Sequence, residues 1–223
     1  LEISRTSKWQ NIEKVNPIIT YSQAKSFKEK YKFPLTHCSL SFTATSVAEV
    51  KYENEKTNPE IQVLGIDENY TLNSGLEVTK GRNFNAFDIQ NHVYFCVVGS
   101  DFSTKGLLKD VNPIDKILTI RGAKFKVIGV LKEQGSTFGN SKDSRIYIPI
   151  QVARSLYSNA NINYSLSVLV DRSEMLDAAV GQATITFKNI RKQNPSSENN
   201  FGITRSDDLV HKIAEMTGVL NIA

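Results

Sequence analysis

"FKVIGVLKEQGSTFGNSKDSRIYIPI", residues 125–150, sets a glycine-dotted turn between two strand-like runs. Such a turn suits either a ligand cradle or a plain connection in a β-rich scaffold. A phosphate loop requires a lysine and then Ser or Thr directly after its last glycine, because the loop amides and that lysine share the phosphates. Here Gly135 and Gly139 are followed by Asn140 and Ser141, and Lys142 is followed by Asp143. The cradle reading fails, and the stretch reads as a scaffold connection.

Strands dominate on both sides of it. "DKILTIRGAKFKVIGVLKE" (115–133) predicts two strands joined at Arg121-Gly122-Ala123, a hairpin signal. "SRIYIPI" (144–150) is a further strand, and Pro149 opens a helix over "IQVARSLY". Upstream, "VYFCVVG" (93–99) suits a strand buried on both faces, and "SDFSTKGLLKD" (100–110) a short helix with Ser100 or Asp101 as N-cap. "GLEVTKGRNF" (75–84) holds a strand ending at Gly81, and residues 38–66 form a β-hairpin across the polar "NEKTNP".

The two ends of the chain read differently. After a short strand at "LEISR", residues 20–31 form a helix in which Thr20 and Gln23 have capping-box spacing and Tyr21, Ala24, Phe27 and Tyr31 share a face. "YSLSVLVD" (164–171) is a strand. The amphipathic helix 173–193 follows, with a stripe of Leu176, Ala179 or Val180, Ala183, Phe187 and Ile190, and with Asp171 and Glu174 at capping-box spacing. A short strand at "FGITR" leads to a last helix with the stripe Leu209, Ile213, Met216 and Leu220, which carries no stop signal. The expected class is α+β: one α+β subdomain built from both chain ends, as two βαβ-like units, with a β-rich subdomain inserted. The expected boundaries are 1–66 and 161–223 for the former and 67–160 for the insert.

Composition narrows the function. The 223 residues are 40% hydrophobic and 22% charged, with 27 basic against 23 acidic residues, the balance of an ordinary globular protein. No dense basic stripe interleaved with aromatics runs along the sequence, so nucleic acid is not an expected partner. Two cysteines, Cys38 and Cys96, are too few for a disulfide framework or a zinc site, although a single bridge stays open. No apolar run reaches the roughly 18 residues of a membrane span. His37, His92 and His211 stand far apart with no partner at metal-ligand spacing. "VGSDF" lacks the flanking glycines of a nucleophile elbow, which leaves Gly99 as a strand end and Ser100 as a helix cap. No catalytic, metal or cofactor residue is expected.

One ordered series carries more. "VTKGRNFNAFD" (78–88), "VYFCVVGSD" (93–101), "NPIDKILTIRGAKFKVIGVLKEQGSTFG" (112–139) and "DSRIYIPIQVARSLY" (143–157) together resemble the MacB-like periplasmic core domain of ABC-transporter permeases that carry an FtsX-like membrane region. The family commonly has a turn glycine where this chain has Asp115, a residue that also tolerates turn conformations. The resemblance implies a porter-like subdomain with an inserted sabre-like one, on the periplasmic side of the bacterial inner membrane, between transmembrane helices. It implies a mechanical role: coupling cytoplasmic ATP hydrolysis to periplasmic movement for efflux or lipoprotein release, with no enzyme activity in this chain. The implied partners are a second permease copy, an ATP-binding subunit or domain, and a periplasmic adaptor protein. Gly135, Ser136, Thr137, Phe138 and Gly139 become a candidate partner-contact loop, and Trp9, Leu209, Ile213 and Leu220 candidate membrane-coupling positions. The alternatives are a stand-alone extracytoplasmic ligand-binding or sensor domain, and a hydrolase whose site is assembled only in three dimensions.

Overall fold

A computed structural model describes residues 1–4, 16–135, 142–158 and 161–205. The chain divides into two compact units. The first comprises residues 1–38 and 162–223, and the second residues 39–161. The crossing into the second unit therefore falls at Cys38/Ser39 rather than at residue 66, because the long hairpin pairs with the insert's strands. The return falls at 161/162.

In the first unit, β1 (Glu2–Ser4) lies between β11 (Ser165–Val170) and β12 (Gly202–Thr204), antiparallel to both. β11 and β12 therefore run parallel without touching, and α6 (Leu176–Ile190) joins them as a split βαβ unit. α1 (Tyr21–Lys30) forms as its sequence predicts. The Thr20 side chain accepts from the Gln23 amide, the Gln23 side chain accepts from the Thr20 amide, and Ala24 and Phe27 are buried. Small residues let the two helices approach: Ala24, Ala179 and Ala183 are fully buried. Around them Phe27 stacks on Tyr31 at 5.0 Å and meets Phe187 edge-on at 5.9 Å, and Phe187 meets Phe201 at 4.8 Å. α6 begins differently from expectation. Asp171 stays tied to Leu35 through its backbone N–H, a 3-10 turn (Ser173–Met175) intervenes, and no side chain caps the helix at Met175.

The second unit is a mixed sheet in the order β2-β5-β10-β7-β9-β8-β3-β4. Its strands are β2 (Thr36–Ala48), β3 (Val50–Tyr52), β4 (Glu55–Lys56), β5 (Ile61–Ile66), β6 (Val78–Gly81), β7 (Phe95–Val98), β8 (Ile117–Ile120), β9 (Ala123–Leu131) and β10 (Ile146–Pro149). β2 and β5 pair antiparallel as the predicted hairpin, with two register irregularities between Thr43 and Ala48. The chain between them makes a second hairpin, β3–β4, whose first strand joins β8. One edge of β9 is shared, its first half pairing with β8 and its second half with β6, while β7 runs parallel along the other edge. Arg121 and Gly122 have φ of 50° and 80°, the two left-handed residues of a type I′ turn. Asp115 has φ of 66°, so the departure from glycine keeps the left-handed backbone. α2 (Tyr70–Asn73), α3 (Ala86–Gln90), α4 (Asp101–Thr104) and α5 (Ile150–Leu156) are short. Asn85 and Asp88 make a full capping box on α3. Ser100 does not cap α4, because its own backbone is already helical and its hydroxyl is not aimed at the amides of the first turn. Among the described residues no helix is long and apolar enough to cross a membrane.

Candidate functional site

The candidate partner-contact loop leaves β9 at Leu131 and returns through a 3-10 turn, Lys142–Ser144. Its base is built by one buried carboxylate. Asp143, 4% exposed, accepts from the Gln134 amide at 2.8 Å and from the Gly135 amide at 3.0 Å, one on each oxygen. Two amides that a turn would leave to solvent are thus held from across the loop, the satisfaction that buried polar groups require. The turn lies directly on the end of β7, where Gly99 receives it: a Cβ at residue 99 would fall 2.1 Å from the Asp143 carbonyl oxygen. The Gly99 amide donates to the Arg145 carbonyl at 2.9 Å, which closes the far side. Gly135 is exposed with φ of 73°; Ser136, Thr137, Phe138 and Gly139 lie outside the described residues. The sequence marked the glycines and missed Asp143, whose only sequence signal is an acid placed where the chain re-enters a strand. Trp9, Leu209, Ile213 and Leu220 also lie outside the described residues.

Among the described residues, the histidines, cysteines and acids that the sequence singled out stand apart. Nε2 of His37 stands 3.6 Å from Asp171 with both side chains nearly half exposed, His92 sits exposed in a turn, and His211 lies outside the described residues. Neither Cys38 nor Cys96 is in a disulfide, and burial pushes the Cys96 thiol well above its ordinary range. Asp67 is structural: its carboxylate accepts from the amides of Leu40 and Asn69. Among the described residues no group of three His, Cys, Asp or Glu side chains could hold a metal ion.

The second unit also carries an open groove of about 420 Å³, whose walls include Thr45, Lys51, Thr119, Arg121 and Tyr157. The Arg121 guanidinium lies over the Tyr157 ring at 5.0 Å. This stack was not legible in the chain, since 36 positions separate the two residues.

With this geometry in place, comparison with known proteins gives the family. The model of the MacB-like periplasmic core domain matches residues 4–185. The chain belongs to that family. The resemblance carried by the middle of the sequence is therefore confirmed, and so is the α+β class. Among curated relatives of this MacB-like domain, the macrolide export ATP-binding/permease protein MacB of Vibrio parahaemolyticus is 24% identical over 92% of the chain and 29% of its own length. The pyoverdine export ATP-binding/permease protein PvdT of Pseudomonas fluorescens is 27% identical over 71% of the chain and 24% of its own length. The chain thus spans under a third of the length of these relatives. Among solved structures, the periplasmic region of MacB from Actinobacillus actinomycetemcomitans superposes with a TM-score of 0.73 at 17% identity, covering 96% of this chain and 91% of that one. The extracellular domain of the ABC-type transporter YknZ from Gram-positive bacteria gives 0.65 at 18% identity, covering 92% and 98%. At such identities these two likenesses speak for the fold.

Proposed function

We propose that this MacB-like domain is the extracytoplasmic moving part of an ABC-transporter permease, and that it transmits ATP-driven movement of the membrane region to an export or release step. The observation that carries this reading is the family match over 4–185. The layout of the first unit agrees with it. β1 and β12, the first and last described strands, are hydrogen-bonded neighbours with Glu2 opposite Thr204. Displacement delivered by membrane helices before β1 and after β12 would therefore enter one sheet at one place. Such coupling needs an element with two arrangements that nucleotide biases. In this reading the domain itself catalyses no reaction. ATP is hydrolysed in an ATP-binding subunit or domain, the permease works as a pair of copies, and the loop built on Asp143 meets a periplasmic adaptor. The names of the relatives favour export of a small molecule over lipoprotein release.

The test uses the full-length permease with its ATP-binding component in liposomes, spin-labelled at Lys109→Cys, an exposed site in the second unit. The distance between the labels of two copies should change when ATP is added and return after hydrolysis. A distance indifferent to nucleotide, with transport intact, would refute the coupling role.

A further inference from the structure

Strand register assembles a charged surface that the linear sequence conceals. Residues directly opposite each other in neighbouring strands project from the same face, as do residues two apart along a strand. Lys56 pairs with Lys51, Lys51 with Thr119, and Thr119 with Lys124, a row across four strands. Two residues along, Lys126 lies between Ile117 and Phe95, with its ammonium 5.9 Å from the Phe95 ring. Lys51, Lys56 and Lys126 have side chains 56%, 63% and 45% exposed, and Lys124 is exposed too. Like charges directly opposite in a sheet are destabilising, and Glu49 relieves the Lys51–Lys56 pair by bridging both, at 3.4 and 2.9 Å. Asp115 stands 3.7 Å from Lys126. With Arg121 at the hairpin turn, five cations face these two carboxylates. The groove opens beside this row, with Lys51 and Thr119 in both. Stacking on Tyr157 holds the Arg121 guanidinium at its rim, and a guanidinium stacked by its face still offers in-plane N–H donors to a carboxylate.

We propose that this lysine-bearing face and its groove form a docking surface for an acidic, extended segment of a partner protein. Carboxylates at alternate positions of an extended chain repeat about every 7 Å, the spacing of Lys124 and Lys126 along their own strand. The exposed Ile117 and the half-exposed Phe95 ring supply apolar contact between the charges. A flat anionic bilayer fits less well, because it cannot enter a recessed groove. The surface does not depend on the transport reading, since it would recruit an acidic segment in any assembly.

The experiment is fluorescence anisotropy of the 223-residue chain with a labelled alternating Glu-Ser peptide as probe. A Lys-Ser peptide and phosphatidylglycerol vesicles serve as comparisons. Saturable binding that weakens with added salt is expected, and Lys51→Glu with Lys124→Glu should weaken it by about tenfold or more. Lys25→Glu, on α1 of the other unit, should change it less than about twofold. The neutralising pair Lys51→Gln with Lys124→Gln gives the same reading should charge reversal impair folding. The proposal is overturned by an absence of saturable binding, by equal binding of the Lys-Ser peptide, or by equal loss with Lys25→Glu. Binding of vesicles without binding of the acidic peptide overturns it in favour of a membrane surface.

Discussion

Asp88 illustrates how one buried charge is kept. It is 3% exposed, and burial works against its ionisation, but the Arg82 guanidinium and the Asn85 amide outweigh that and hold its carboxyl below the ordinary range. A carboxyl depressed in the folded state contributes stability that is complete above its unfolded pKa of about 3.9 and is lost as pH falls through the lower folded value. Asp88→Asn should therefore cost on the order of 1–3 kcal/mol at neutral pH. Its deficit against the parent should shrink as the solution is acidified below about pH 4. Urea midpoints of both proteins across that range check this, and a deficit constant with pH would count against it. Arg191 is kept by neutral partners instead. It donates to the carbonyls of Pro17, Ile18 and Asn200 and to the Asn200 side chain, and lies 4.9 Å from the Phe187 ring. Neither arrangement could be read in full from the chain. Asp88 has its cap three residues away in "NAFD", whereas two of Arg191's acceptors lie more than 170 positions distant.

Elements were legible where local chemistry and tertiary demand agree. Thr20 and Gln23 cap α1 by a reciprocal pair of side-chain-to-amide bonds within the same turn, and Arg121-Gly122 turns because both residues take left-handed φ. Asp171 and Glu174 have the same spacing and cap nothing, since the Asp171 amide is committed to Leu35. The β3–β4 hairpin escaped notice because its strands are three and two residues long, too short for alternation to register. The anchor of the candidate contact loop went unseen in the sequence. Asp143→Ala should remove the acceptor that the Gln134 and Gly135 amides share and cost about 1–3 kcal/mol. Asp143→Asn, which keeps one acceptor, should cost less. Amide exchange at residues 134 and 135 should accelerate in both. Unchanged protection there would mean that the loop base is held by something other than Asp143.

At the scale of the whole chain, the insertion was legible from the change in sequence pattern at both ends. Its first boundary was not, because the 38–66 hairpin looks like part of a βαβ unit until its pairing with β10 and β8 is seen. Since residues 39–161 are one continuous and internally connected unit, expression of that segment alone should give a cooperatively unfolding, protease-resistant protein. A segment that unfolds without a transition would show that the unit needs the rest of the chain. The sheet order of this unit also bears on how the protein is made. β10 is the last of its strands to be synthesised, yet it lies mid-sheet between β5 and β7. Until residues 146–149 are in place, the flanks of β5 and β7 that await them are open edges of apolar strands, the kind that invite pairing with the wrong chain. The nascent protein is most in need of a chaperone during that interval, and it ends when a single four-residue strand slots home.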